Sequence, residues 1–300
     1  MKVIVVGVDG LEMSLVIRWG LKDLLQRYWG THDALSGIGP DDRLYTPLLW
    51  GAFLLGESPS VYGFSYRKLA KEKLKASFGP FYPLYVIRRI IFGKRKLGLR
   101  KLAVKLGIYD TRRIRKKILE IERLPDDLLE KTLVHIAKRK GFKVWIKEFP
   151  PYNDEKFAEV RAYMCMYFSS GLKERLRLLE EVYAMTEDFF KEAAEALTTN
   201  DLVMVYTPLI DYANHMLYRP GKLKLMFHLA RYYRRINRLV RELSSKVKEG
   251  ALLIVSDHGY DPVRHEHSEE GFWSCNIPLN PTPKRITDFK DIILNLLETR

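Results

Sequence analysis

The stretch KVIVVGVDG, residues Lys2–Gly10, determines how the rest of the chain is interpreted. After Lys2 it is an unbroken apolar run, rich in β-branched residues, that ends at Asp9. Such a run is typical of a strand that is buried on both faces of a parallel sheet. It is too short for a signal peptide and has no small-residue cleavage site. We therefore expect a core strand at the start of the chain.

Further strand-like segments alternate with helix-like segments along the sequence. The strand-like segments are FKVWIKEF, DLVMVY and ALLIVS. Helices are predicted over Met13–Trp29, after Thr46 and Pro47, over 126–141, over Leu172–Leu197 and over Lys222–Lys246. This alternation predicts βαβ units and a mostly parallel sheet covered by helices on both faces. The expected fold class is α/β, a three-layer α/β/α sandwich with its chemistry at the carboxyl ends of the strands.

Composition excludes several classes of protein. With 300 residues, 47% of them hydrophobic and 12% aromatic, the chain is long and apolar enough for a large core and is not a disordered protein. No stretch approaches the roughly 20 apolar residues that span a bilayer. The two cysteines have no metal-site spacing, so we expect a soluble, cytoplasmic protein without disulfides. The single glutamine, Gln26, and a charged fraction of 29% favour a thermophilic source.

The net charge of +14 is concentrated in one part of the chain. The range Arg67–Lys117, called the basic segment below, holds 18 Lys or Arg and only two acids, a local net charge of +16. The remainder holds 33 basic and 35 acidic residues. A concentrated basic patch indicates an anionic partner.

The position of the basic segment suggests a domain organisation. Residues 1–66 and 120–300 are expected to form the α/β/α core, and residues 67–119 a basic, aromatic-containing helical insertion that caps the site. Lys and Arg interleaved with aromatic residues suit a phosphate-containing substrate, a polyanion or a membrane surface. The alternative is an ordinary solvated set of helices. No protein partner is indicated.

Candidate metal ligands follow three of the predicted strands. Asp9 follows the first, Asp211 and His215 follow DLVMVY, and Asp257 and His258 follow ALLIVS. His267 comes shortly after the last of these. Carboxylate oxygen and imidazole nitrogen together suit zinc, manganese or iron rather than calcium. One aspartate after a strand is often only a turn or cap residue, but six such side chains at one sheet edge favour a metal site.

The sequence also resembles a known family. VGVDG, YTPLLWGAFLLGESPSVYG, DYANH, SDHG and HSEEGFW, in this order and spacing, resemble the type I phosphodiesterase/nucleotide pyrophosphatase family of the alkaline phosphatase superfamily. The resemblance implies an alkaline phosphatase-like fold with two divalent metal ions, usually zinc, with manganese as the alternative. It implies that one metal takes Asp9, Thr46, Asp257 and His258, and the other Asp211, His215 and His267. His265 is the rival of His267, which is preferred because SEEGF follows it.

The resemblance further implies an activity. Thr46, ten residues before Gly56, matches the family's nucleophile. The expected function is a divalent-metal-dependent phosphohydrolase that cleaves a phosphodiester or pyrophosphate through this threonine. Two alternatives stay open: a phosphatase or phosphate-transferring mutase of the same superfamily, and a non-catalytic binder of nucleic acid or anionic lipid. The substrate is not decided by the sequence.

Overall fold

A six-stranded sheet forms the centre of the protein. The computed structural model describes residues 1–40, 42–79, 82–92, 111–247 and 249–299. The strands, in spatial order, are β2 (Tyr28–Asp33), β8 (Glu270–Cys275), β5 (Gly250–Val255), β1 (Lys2–Val8), β4 (Leu202–Thr207) and β3 (Val144–Lys147). The last four are parallel, and β8 runs antiparallel to β5 and β2. The expectation of a mostly parallel sheet is confirmed.

Helices and one small hairpin surround this sheet. The hairpin pairs β6 (Gly259–Asp261) with β7 (Glu266–Ser268). The helices are α1 (Met13–Arg18), α2 (Lys22–Leu25), α3 (Thr46–Leu55), α4 (Tyr66–Phe78), α5 (Tyr82–Phe92), α6 (Thr111–Glu122), α7 (Asp126–Leu129), α8 (Leu133–Arg139), α9 (Lys156–Met164), α10 (Leu172–Ala196), α11 (Leu209–Leu217), α12 (Leu223–Ser244) and α13 (Phe289–Glu298).

The strand register shows that helices cover both faces. Gly7 pairs with Tyr206 and Val8 with Thr207, so each pair projects to one face. Trp50 of α3 covers the first face: a Cβ atom on Gly7 would lie 3.0 Å from its ring. On the other face, Thr186 of α10 hydrogen-bonds Thr207 at 2.8 Å. Helices α3, α8 and α13 contact one another, as do α10, α11 and α12. The fold is therefore the expected three-layer α/β/α sandwich.

A smaller apolar cluster joins the start of the basic segment to this core. Leu69 of α4 is buried together with Leu48 and Leu55 of α3. Helix α4 also packs against α6, and α6 against α9. The described helices of the basic segment are therefore anchored to the helix that begins at Thr46.

The predicted helix over Met13–Trp29 is wrong. Helix α1 is followed by Gly20 at φ +61°, and α2 by Gln26 at φ 52°, both left-handed conformations that an α-helix does not continue through. The chain then enters β2, which pairs with β8. His32 lies buried in that strand.

Two of the remaining predicted helices are confirmed and a third is divided. The helices predicted over Leu172–Leu197 and Lys222–Lys246 are confirmed as α10 and α12, and the one predicted over 126–141 is split into α7 and α8. Part of the helical insertion predicted over 67–119, including LRKLAVKLG at 99–107, lies outside the described residues.

Within the described ranges, no helix combines the length and the apolarity required to cross a membrane.

Candidate metal centre

Six predicted ligand side chains meet at the carboxyl edge of the sheet. Asp9 directly follows β1, and Asp257 and His258 directly follow β5. Asp211 and His215 lie one turn apart on α11, which begins just after β4, so both side chains occupy one helix face. His267 comes from β7 of the hairpin. These residues are called the metal-ligand cluster below: Asp9, Asp211, His215, Asp257, His258 and His267.

The first grouping within the cluster is Asp211, His215 and His267. The Nε2 atoms of His215 and His267 lie 3.3 and 3.6 Å from Oδ1 of Asp211. The two Nε2 atoms are 3.0 Å apart. All three ligand atoms lie within 4.8 Å of one another, a spacing at which one metal ion can be held.

The second grouping is Asp9, Asp211 and His258, again within 4.8 Å. Nε2 of His258 lies 3.2 Å from Oδ1 of Asp9 and 3.6 Å from Oδ2 of Asp257. Nδ1 of His258 is 2.9 Å from the Gly259 carbonyl oxygen, to which it donates when protonated. A histidine held in this way turns the Nε2 lone pair toward the carboxylates, as metal ligation requires.

The donor set fits a metal ion because its atoms lack protein partners. Four buried atoms accept no hydrogen bond and donate none: Asp9 Oδ1, Asp211 Oδ1, Asp257 Oδ2 and His258 Nε2. Buried polar atoms are normally satisfied, so a group of orphans at one point indicates a missing ligand. Their mixture of oxygen and nitrogen suits a transition metal.

Electrostatics gives the same indication. Burial, followed by the charge of Asp9, raises the pKa of Asp257 well above its usual range. Burial lowers the pKa of His258, but Asp257 and Asp9 outweigh it and raise that pKa to about 10. Both shifts retain protons where three carboxylates crowd together. The polypeptide alone is therefore short of positive charge here, and a bound cation displaces such protons.

Supporting residues were not found from the sequence. The Tyr206 hydroxyl donates to Oδ2 of Asp9. Asn214 donates from Nδ2 to the Gly10 carbonyl at 2.7 Å, and Ser256 donates from Oγ to the His258 carbonyl at 2.7 Å. Their signal was positional: Tyr206 lies near the end of a strand, Asn214 within DYANH and Ser256 just before Asp257.

Gly10 is required by the geometry beside Asp9. Its φ is +64°, and a Cβ atom there would lie 2.9 Å from both Cα and Cβ of Asp211. Only glycine allows this turn and this close approach of α11.

The structure separates the two rival histidines. His267 stacks on His258 with ring centroids 3.8 Å apart. His265 is exposed, at φ 59°, in the turn of the hairpin. The geometry brings His267, and not His265, to the cluster.

Thr46 is the first residue of α3 and is 6% exposed; the helix begins two residues earlier than predicted, and Tyr45 is its N-cap. One turn later, Trp50 packs edge-on against Tyr206 at 5.6 Å. Because Tyr206 bonds Asp9, α3 is packed against a residue that supports the metal-ligand cluster.

An aromatic ring covers one ligand from outside. Phe168 stacks on His215 with ring centroids 5.2 Å apart and remains 38% exposed. A cavity of about 640 Å³ lies elsewhere, between α6 and α9, and none of its lining residues belongs to the cluster.

An α/β/α sandwich with carboxylates and imidazoles at the carboxyl edge of its sheet is an arrangement that could hold metal ions for hydrolytic chemistry. The family model of the type I phosphodiesterase / nucleotide pyrophosphatase matches residues 107–274, more than half of the chain. The protein belongs to this family. The matched range includes the ligand candidates from Asp211 to His267, whereas Asp9 and Thr46 precede it. The resemblance seen in the sequence is confirmed, and family membership points to a phosphoesterase hydrolase.

Solved structures also resemble the chain. The PH0037 protein from Pyrococcus horikoshii is 12% identical with a TM-score of 0.47, and the alignment covers 99% of this chain and 97% of that one. The alkaline phosphatase from the Antarctic bacterium TAB5 is 12% identical with a TM-score of 0.44 and the same coverage. Its His 135 Glu mutant, with Mg bound in the M3 site, gives a TM-score of 0.46 at 12% identity and the same coverage. The search of curated proteins finds no match.

Proposed function

We propose that the protein is a divalent-metal-dependent phosphodiesterase or nucleotide pyrophosphatase with Thr46 as its nucleophile. The strongest support is the convergence of four buried, unpartnered ligand atoms in a chain of this family. A protein that had lost its activity and kept only a binding role would be expected to have lost some of its metal ligands. Here each predicted carboxylate or imidazole ligand lies close to another predicted ligand.

The ligand assignment follows the resemblance. Asp9, Thr46, Asp257 and His258 would hold one ion, and Asp211, His215 and His267 the other. Zinc suits these donors best, with manganese as the alternative. When bound, such ions favour the ionised form of a hydroxyl and neutralise charge on a phosphate group.

The chemistry of the chain itself centres on Thr46. The Thr46 hydroxyl gives up its proton to solvent and its Oγ1 attacks phosphorus, so that the Oγ1–P bond forms as the bond to the leaving oxygen breaks, and the leaving group departs as an anion or takes up a proton from water. Water then displaces the threonine in a second step and restores the hydroxyl. The N-terminus of α3 favours phosphate here, because backbone N–H groups and the helix dipole point toward an anion.

Residues 67–119 are proposed to cap this site over the core formed by 1–66 and 120–300. Helix α5 exposes Leu84, Val86 and Ile87 beside the exposed Arg89. Apolar and cationic groups together suit a substrate with apolar and phosphate parts, a polyanion or an anionic membrane surface. The segment would raise the local concentration of anionic substrate.

One assay tests the proposed activity. Purified protein is loaded with zinc, manganese or magnesium and offered a panel of phosphodiesters, pyrophosphates and phosphomonoesters. Turnover of diesters or pyrophosphates is expected, with monoesters slower, and chelation should abolish it. The Thr46→Ala protein is the control for a contaminating hydrolase. The proposal is contradicted if no substrate of the panel is hydrolysed with any of the three metal ions.

A second assay tests the role of the basic segment. The first variant has glutamine at five basic residues of the segment: Lys68, Lys71, Arg89, Lys116 and Lys117. The control variant has glutamine at five basic residues elsewhere: Lys138, Lys173, Arg177, Lys191 and Lys224. The first should raise KM for anionic substrates and flatten its dependence on salt, by about one unit of slope per lost phosphate contact. Equal behaviour of both variants would reduce the segment to ordinary surface.

A further inference from the structure

A buried network of charges lies next to the proposed nucleophile. It consists of five side chains, called the Tyr45 network: Tyr45, Lys73, Glu122, Asp154 and Arg161. The Tyr45 hydroxyl and the Lys73 ammonium both donate to Oε1 of Glu122, and Lys73 also donates to the Tyr45 oxygen. The ammonium of Lys73 lies 4.7 Å from the centre of the Tyr45 ring.

Arg161 closes the network from the other side. Its Nη2 donates to Oε2 of Glu122 at 2.9 Å and to Oδ2 of Asp154 at 2.6 Å, and its Nε donates to Oε2 of Glu122 at 3.2 Å. Burial raises the pKa of Glu122, but Arg161 and Lys73 outweigh it and hold that pKa at about 2. Burial raises the pKa of Asp154 to about 6, against the opposing effect of Arg161. At neutral pH the network therefore has two cations and two anions.

The network joins elements that are distant in sequence. Lys73 comes from α4, at the start of the basic segment, and Glu122 from the end of α6, just beyond the segment. Arg161 comes from α9, and Tyr45 is the residue before Thr46. Helices α4 and α6, where the basic segment begins and ends, thus contact the start of α3 through one cluster.

Tyr45 is fixed at its backbone as well as at its ring. It is the N-cap residue of α3, and its carbonyl accepts from the amides of Leu48 and Leu49 at 2.8 and 3.1 Å. Its side chain is too long to cap the helix, and its hydroxyl instead bonds Glu122 and Lys73. The backbone that carries Thr46 is therefore held between a helix turn and a buried ion cluster.

Helix α3 links the Tyr45 network to the metal side of the site. Trp50, one turn after Thr46, packs edge-on against Tyr206 at 5.6 Å, and Tyr206 donates to Asp9 of the metal-ligand cluster. The helix that Tyr45 begins therefore contacts a residue that supports Asp9.

We propose that the Tyr45 network positions Thr46 relative to the metal-ligand cluster, so that the basic segment supports the nucleophile as well as contributing charge. The inference rests on the proposed function for the identity of the nucleophile. Buried ion clusters add little net stability compared with apolar packing, but they hold one geometry, since leaving any member unpaired is costly. Attack on phosphorus is sensitive to displacement of the nucleophile by a fraction of an ångström to an ångström.

The first part of the test separates positioning from folding. Tyr45→Phe removes the hydroxyl and keeps the ring, and Tyr66→Phe makes the same change in the ring that packs edge-on against Tyr45 at 5.6 Å. Tyr45→Phe should lower kcat about tenfold with KM, metal content and Tm unchanged, and Tyr66→Phe should leave kcat unchanged. Equal kcat for both variants would overturn the proposal, as would a loss confined to KM or Tm.

A second pair of variants tests the cation. Lys73→Met should lower kcat as Tyr45→Phe does, and Lys73→Arg should restore most of it, because a cation returns to the Glu122 carboxylate. Lys75→Met on the same helix is the matched control, since Lys75 pairs with the half-exposed Glu72 at 2.8 Å. No rescue by arginine, or an equal loss in the Lys75 variant, would contradict the proposal.

Hydrogen exchange gives a readout that does not depend on activity. In Tyr45→Phe and Lys73→Met, the amides of Leu48 and Leu49 should exchange faster than in the wild type, while β1 and β5 should not change. Unchanged exchange at these amides would overturn the positioning role even if the protein proves to have no phosphoesterase activity. If the wild type has no phosphoesterase activity but these amides still exchange faster in the variants, only the proposed function is contradicted.

Discussion

The protein buries two clusters of charged side chains that differ in how their charge is balanced. In the Tyr45 network, both carboxylates have cationic partners supplied by Lys73 and Arg161. In the metal-ligand cluster, three carboxylates crowd around imidazoles and leave four buried ligand atoms without partners. The first cluster is balanced in charge and leaves one buried atom, Arg161 Nη1, without a hydrogen-bond partner, whereas the second gathers four such atoms at one point, as a ligand site does. Unsatisfied buried charge, rather than burial of charge alone, distinguishes a binding site from a structural one.

The largest expected effect is a loss of turnover on changing Thr46, which is compared with the smaller loss on changing its neighbour Tyr45. Thr46→Ala should lower kcat by at least about 10³-fold, because the attacking hydroxyl is lost, whereas the neighbouring Tyr45→Phe costs only its positioning. Thr46→Ser should retain part of the turnover, since it keeps a hydroxyl. Steady-state kinetics on a chromogenic phosphodiester measures all three. A Thr46→Ala enzyme with the wild-type rate would mean that water attacks phosphorus directly.

The next effect concerns stability without metal. Glu122→Gln should cost about 3 kcal/mol, because it removes the buried carboxylate that Lys73 shares with Arg161 and leaves Arg161 with Asp154 as its one anionic partner in the network. Asp257→Asn should leave the metal-free protein equally or more stable, because Asp257 must take up a proton to be buried beside Asp9 and an asparagine need not. Urea unfolding in the presence of a chelator gives both free energies. If Asp257→Asn proves as destabilising as Glu122→Gln, the contrast between the two clusters is wrong.

The sequence predicted the metal-ligand cluster better than it predicted the Tyr45 network, for a physical reason. Parallel strands bring their carboxyl ends to one edge, so Asp9, Asp211 and Asp257 could be grouped from strand order alone. Tyr45, Lys73, Glu122 and Arg161 come from four separate elements without a shared motif. Their meeting depends on how α4, α6 and α9 pack, which local patterns do not encode.

The fold shows the same division. Continuous apolar runs predicted β1, β4 and β5, because a strand buried on both faces is apolar along its whole length. The predicted helix over Met13–Trp29 ran into the start of β2, because the strand character of Tyr28–Asp33 comes from pairing with β8, more than 200 residues away in sequence. His32 was overlooked for the same reason, although it lies buried beside the end of β5.

The smallest expected effect is a pH dependence at His32. Burial lowers the pKa of His32 to about 4, from 6.5 in the unfolded chain, and its Nε2 lies 2.8 Å from the Ser256 carbonyl oxygen. Only the unfolded chain then binds a proton between these values, so stability is full above pH 6.5 and falls as the pH drops toward 4. The loss approaches about 3 kcal/mol for this group. Unfolding of metal-free protein at several pH values measures it, and His32→Gln should show a shallower dependence. Identical slopes in both proteins would assign the pH dependence to other groups.

The central claim is that the metal-ligand cluster, together with Thr46, holds two divalent metal ions. The number of metal ions bound per chain tests this claim most directly. Protein loaded with zinc and then dialysed should carry two ions per chain by elemental analysis. Asp211→Asn and Asp257→Asn should each lose at least one of them, whereas Asp154→Asn, the same chemical change in the Tyr45 network, should retain both. Wild-type protein without tightly bound metal, or an Asp154→Asn protein that loses metal as readily as Asp257→Asn, would contradict the account.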